Sequence, residues 1–427
     1  MLEDRYGNKL STMNQAARDA YVNAVDRLFA AADGVEEAFR SSIKADPDFA
    51  LAYLGLARHY QMRGMGSLIA EPLAMARSAA AQSTTRESAL IDAFGFLLEG
   101  KGNEAYRMLR THLETWPRDA FAAQPCVGIF GLIGLSGRAG REAEQLAFTT
   151  AFLSHYRDDW WFLGQHAFAQ IEAGQLQEAT TNLEKSLAGN PRNANAAHFM
   201  AHLHYENGDT ETGLDFLRDW IRDYSRKGLM YGHISWHIAV SAIELEDQET
   251  LFRIMNSDVS PGTSTSPSLN VISDTAAILF RAQLAGIEIE PERWQAVSDY
   301  ALMHYPEPGL AFADVHAALA HSMVGNDEAL TRIIDEARGP AADVVRALAE
   351  SFRAMADERW ADATRYLSIA MVDHARISGS RAQRDLIEFA MANVLLQQGN
   401  ADEARRFLEI RRPRSTPSNA VKGLFVH

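Results

Sequence analysis

LAGNPRNANAAHFMAHLHYENGD, Leu187 to Asp209, is the stretch whose reading decides the fold. The Asn190-Pro191 turn stands between two apolar-periodic runs, and Gly208 closes the second. Proline breaks a helix because it lacks an N–H, and glycine supplies the left-handed cap at the other end. KADPDFALAYLGLARHYQMRG, Lys44 to Gly64, repeats that order around Pro47. Gly174 and Gly208 are separated by 34 residues, as are Ala179 and Gly213. A small residue on the second helix of a pair lets the two helices approach closely.

A period of 34 residues with paired helices is that of the tetratricopeptide (TPR) repeat. Weaker copies of the second helix are EGKGNEAYRMLRTHLETWPRDAFAA from Glu99, ADERWADATRYLSIA from Ala356 and QQGNADEARRFLEI from Gln397. Between them, Trp236, Ile238, Val240 and Ile243, then Ala276 to Leu284, keep a helical period. No alternating strand pattern and no glycine-rich phosphate loop interrupts them. The sequence therefore predicts an all-α, TPR-like α-α superhelix. It forms one domain over residues 1–427, strongly curved around a central polar pocket, with 411–427 as an irregular C-terminal tail. In that tail Leu424, Phe425 and Val426 are suited to dock on a neighbour. Asn256 to Asn270 is the longest polar run, read as a long connector or a lid, and Tyr305 to Gly309 is a second break.

Composition narrows function. Hydrophobic residues make up 47% and charged residues 23%, which excludes wholesale disorder. The formal net charge of −15 argues against a nucleic-acid or anionic-membrane binder, either of which needs a basic face. The short basic run Arg411, Arg412 and Arg414 reads as a solvated tail. The single cysteine, Cys126, excludes an intrachain disulfide and a cysteine-zinc site, and its apolar setting suits an inert buried thiol. The polar start MLEDRYGNKLS carries no signal peptide, and Cys126 to Leu135 is too short and glycine-rich to span a bilayer. Cytoplasmic localisation is the default expectation.

In a TPR the first helix of each pair lines the concave face. With Ala194 as the first position, the groove positions fall on Asn195, His198, His202, Tyr205 and Glu206, while His204 points away. Residues four apart stack on a helix, so His198 and His202 form a pair. His233 and His237 form another on the corresponding helix of the next repeat, where the two pairs can converge. Asp274, then Asp314 and His316, and finally Arg381, Arg384, Asp385 and Glu388 supply further polar groups.

Three readings of this set stay open. Histidine pairs with a carboxylate can hold Zn²⁺ or Fe²⁺, although the H-E-x-x-H helix is absent. Metal-free acid/base chemistry would use His202 or His237 as base, with Asp314 and His316 in support and Arg384 clamping an anionic group. Alternatively these residues hydrogen-bond a ligand or pack without chemistry. The expectation is a pocket for a small polar, anionic molecule, bound by His198, Tyr205, Glu206, His233, Asp274, Arg381, Arg384 and Asp385. No cofactor is expected, and an enzyme of hydrolase or lyase type is left open. The rival reading is a scaffold that takes a partner peptide in an open groove. A homo-oligomer is also left open. Trp160, Trp161, Trp236 and Trp294 read as core anchors.

At these residues the chain resembles the tetratricopeptide repeat protein 38 family over nearly its whole length. The likeness is carried by DRYGNKLST (Asp4 to Thr12), Arg86-Glu87 in TTRESALIDA, AAHFMAHLHYENGD, YGHISWHIAV, Asp314-Val-His316-Ala and SGSRAQRDLIE. It departs at Ser88, where the family has Arg and a following His. It departs again at Arg381, where His is expected, and at Phe280, where Trp is expected. The resemblance implies a TPR-like superhelix with an enclosed polar pocket. It implies no particular reaction.

Overall fold

The computed structural model describes residues 1–413 and 419–425. Among the described residues there are 22 α-helices and no strand, only an isolated bridge between Glu3 and Lys9. The chain is an α-α superhelix of antiparallel neighbours.

The helices Trp160–Glu172, Leu176–Gly189, Ala194–Asn207 and Thr210–Ile221 form the repeat read from the sequence. Gly208 takes φ +78° at the end of Ala194–Asn207, where the Asp209 amide donates to the His204 carbonyl. Only glycine adopts that conformation without strain. Gly213 sits against His204, and a β-carbon there would lie 2.8 Å from the His204 side chain. Gly213→Leu is therefore expected to destabilise the fold by about 1–3 kcal/mol in a urea titration, because the helices cannot separate without losing contacts.

The second helices of the pairs bury one stripe each, for example Gly213, Leu214 and Leu217 of Thr210–Ile221. The first helices Trp160–Glu172, Tyr231–Glu244 and Ser268–Leu284 are buried nearly all round. A helix apolar on every side must be covered on every side. Two parts of the same chain cover these. The turn after the helix Gln15–Phe29 enters from one side: the Ala194 and Leu229 amides donate to the Ala30 and Ala31 carbonyls, and Asn195 donates to that of Phe29. The helix Arg381–Gln397 packs from the other side on Ser268–Leu284 and Ala194–Asn207. The superhelix thus closes over its own concave face.

The apolar stretch after Cys126 forms turns. Ser378 donates to the Ile129 carbonyl, and Arg141 donates to that of Gly379, tying this stretch to the C-terminal helices. No described helix is long and apolar enough to cross a membrane. Arg86 and Glu87, which carry part of the resemblance, hold the N-terminal segment: Arg86 donates to the Lys9 carbonyl and Glu87 accepts from the Ser11 amide.

One expectation is corrected here. Arg411 and Arg412 are not a solvated tail. Arg412 is buried and pairs with Asp385, and Arg411 donates to Glu388 at 2.9 Å. Buried carboxylates on Arg381–Gln397 need cations, and these are the nearest. In the irregular tail, Val421 and Leu424 are buried, and the Lys422 amide donates to the Leu284 carbonyl. Arg414 and Val426 lie outside the described residues.

Candidate functional site

All five groove positions of Ala194–Asn207 face the interior, while His204 lies against the second helix near Asp209. His198 and His202 meet His233 and His237 of Tyr231–Glu244. One ring nitrogen from each of the four lies within 4.8 Å of the others. His198 and His202 approach at 2.8 Å between their Nε2 atoms. His233 donates through Nδ1 to Asp274 Oδ2 at 2.8 Å. Burial and the neighbouring imidazoles push His198, His202 and His237 well below the ordinary histidine range, so these rings are neutral near pH 7.

The other predicted residues separate into different places. Asp314 accepts from the Gly309 amide at 2.9 Å, ahead of its own helix, and no hydrogen bond or ion pair joins it to His202 or His237 among the described residues. His316 donates through Nδ1 to the Phe312 carbonyl. The arrangement of His202 or His237 oriented by Asp314 is therefore not formed; the carboxylate beside the histidines is Asp274. Arg384 pairs with Glu142, lies 3.8 Å from Glu172 and donates to the Gly379 carbonyl, which leaves it no charge to offer a ligand. Asp385 accepts from Tyr205 at 2.6 Å and pairs with Arg412, while Arg381 lies 3.3 Å from Glu206. Tyr205, Glu206, Arg381 and Asp385 thus form an internal ion network beside the histidines. Phe280, the departure from tryptophan, packs edge-on to Phe352.

A cavity of about 670 Å³ opens between the N-terminal helices and the histidines. Its walls are mostly apolar, including Phe29, Phe130, Trp161, Phe168, Phe199 and Leu269. Its polar groups include Arg58, Gln61, Gln124, Gln165, His198 and His233. Pro267 to Asn270, the end of the long polar run, and Tyr305 complete the wall, joined by a 2.9 Å hydrogen bond between Ser268 and Tyr305.

Arg58 is the functional candidate that the sequence reading missed. It is 8% exposed, and its hydrogen bonds go to the neutral amides of Gln124 and Gln61. No carboxylate pairs with it among the described residues. Burial lowers its pKa to about 10, yet a guanidinium stays charged at neutral pH. The signal was available: with Ala50 as first position, Arg58 is the ninth and Gln61 the twelfth, matching His202 and Tyr205. Cys126 is fully buried, and burial pushes its thiol up to about 12, which makes it inert.

Fold and repeat register together define a TPR-like helical-repeat protein, and residues 170–225 match the tetratricopeptide repeat family. Three solved structures are similar over most of this chain. Yeast Tom70 is 14% identical with a TM-score of 0.34, over 94% of this chain and 84% of that one. The TPR domain of P58(IPK) is 15% identical with a TM-score of 0.19, over 93% and 99%. Naa15/Naa10 bound to HypK-THB is 13% identical with a TM-score of 0.23, over 92% and 68%.

Proposed function

We propose that this TPR-like protein binds a small molecule with an anionic group and an apolar body inside its closed superhelix. The observation that carries the reading is Arg58: a buried cation on the cavity wall with only neutral partners. An unpaired buried charge is costly, and a carboxylate or phosphate would satisfy it bidentately. The apolar walls suit the rest of such a ligand. The resemblance to the tetratricopeptide repeat protein 38 family implies an enclosed pocket, in keeping with this reading, although the walls here are more apolar than that resemblance implies.

The test is a thermal-shift and calorimetric panel of aromatic and medium-chain carboxylates and their phosphate analogues. At least one should stabilise the wild type, and Arg58→Gln should weaken its binding by about 10- to 100-fold, the worth of a charge-assisted hydrogen bond. Equal affinity for both proteins would overturn the reading.

The tetratricopeptide repeat match favours a second reading, a scaffold for a protein partner, since such arrays present extended concave surfaces. The concave positions here are covered, so the partner segment would enter the cavity, its terminal carboxylate on Arg58. Peptides with a free C-terminus binding more tightly than their amidated forms, and more tightly than the small carboxylates, would select this reading.

A further inference from the structure

We propose that His198, His202, His233 and His237 form a site for one divalent transition-metal ion, with Zn²⁺ the best-matched species. The inference is independent of Arg58 and of any ligand in the cavity.

Four features point to it. The first is convergence: two i,i+4 pairs from adjacent repeats bring one nitrogen each to within 4.8 Å of the others. A tetrahedral Zn²⁺ with nitrogen ligands needs edges of about 3.3 Å, reached by small ring rotations. The second is the lack of other partners. Nδ1 of His198 and His202, and Nε2 of His233 and His237, have no protein hydrogen-bond partner among the described residues, although all four side chains are buried. A packed core histidine normally donates to a carbonyl or carboxylate, as His316 does to Phe312.

The third feature is Asp274. It holds the proton of His233 on Nδ1, so the Nε2 lone pair is free for an ion. A carboxylate behind a ligating histidine also offsets part of the ion's charge. The fourth is the surroundings. Trp236 stacks on His233 with ring centroids 5.2 Å apart, and Phe168 lies against His202 at the same separation. His198 and His233 also border the cavity, which gives the ion a route inward. With no thiolate at hand, an all-imidazole set suits Zn²⁺ or another late first-row ion over Mg²⁺ or Ca²⁺.

The experiment uses tag-free, full-length protein, stripped with chelator, titrated with ZnCl₂, gel-filtered and assayed by elemental analysis. The wild type should retain one Zn²⁺ per chain. His202→Gln and His237→Gln, checked for helical content, should bind at least about 100-fold more weakly, and Asp274→Asn about 10- to 100-fold more weakly. A wild type that retains no Zn²⁺, or folded variants that retain it equally, overturns the proposal. Should the histidine variants not fold, X-ray absorption of the Zn²⁺-loaded wild type decides. A first shell of four imidazole nitrogens supports the site, and a shell with fewer than three overturns it.

Discussion

Arg412→Ala is expected to lower the free energy of unfolding by about 3–5 kcal/mol, the loss typical of removing one partner from a buried ion pair. Arg412 is 3% exposed, pairs with Asp385, lies 3.8 Å from Glu388 and stacks over the Tyr205 ring. Its removal leaves Asp385, Glu388 and Glu206 as buried carboxylates with less compensation. Burial first, and then the Asp385 charge, already push Glu206 and Glu388 up. A raised folded-state pKa contributes stability that is present below the unfolded value of about 4.5 and lost as pH climbs through the raised one. The deficit of the variant should therefore be larger at pH 8 than at pH 5. Urea titrations at the two pH values measure both effects. A loss under about 1 kcal/mol would show that the pair contributes little.

Arg86→Met should be comparably damaging, at about 3–5 kcal/mol. The Arg86 guanidinium lies 2.6 Å from Asp119, and His112 approaches the same oxygen at 2.9 Å. Burial opposes the Asp119 charge, but Arg86 and the His112 hydrogen bond outweigh it and hold the carboxyl at about 2. A depressed folded-state pKa contributes stability that is present above the unfolded value of about 3.9 and lost as pH falls toward 2. The wild type should thus lose about 2 kcal/mol through that acid window, and Arg86→Met should lose much less, having already lost the pair. The variant should also release the N-terminal segment, since Arg86 donates to the Lys9 carbonyl. Faster hydrogen exchange of residues 4–12 in the variant checks this.

The repeat was legible because its signals are local. The Pro191 turn, the left-handed Gly208 and the close approach at Gly213 act within one helix pair, and they aim His198 and His202 inward. The convergence of His198 and His202 with His233 and His237 followed from the same register, since the two pairs occupy corresponding helices. The partners of Arg384 and Arg412 were not legible. The Arg384 partner depends on how the superhelix closes, which brings Glu142 to it across 242 residues of chain, whereas Arg412 meets Asp385, 27 residues earlier, only once the last two helices have paired. Asp314 misled because its motif resembles a site segment, whereas its carboxylate serves the turn at Gly309. Arg58 was legible in principle, at the ninth position of the Pro47 repeat, but the histidine-rich repeat drew the reading to itself.

The crystal structure of the protein with a bound carboxylate from the panel tests most directly whether the closed superhelix holds an anionic ligand. The expected result places the carboxylate oxygens within about 3.2 Å of the Arg58 guanidinium, with the apolar body between Phe29, Trp161 and Phe199. A carboxylate bound elsewhere, with Arg58 still held only by Gln61 and Gln124, would contradict it.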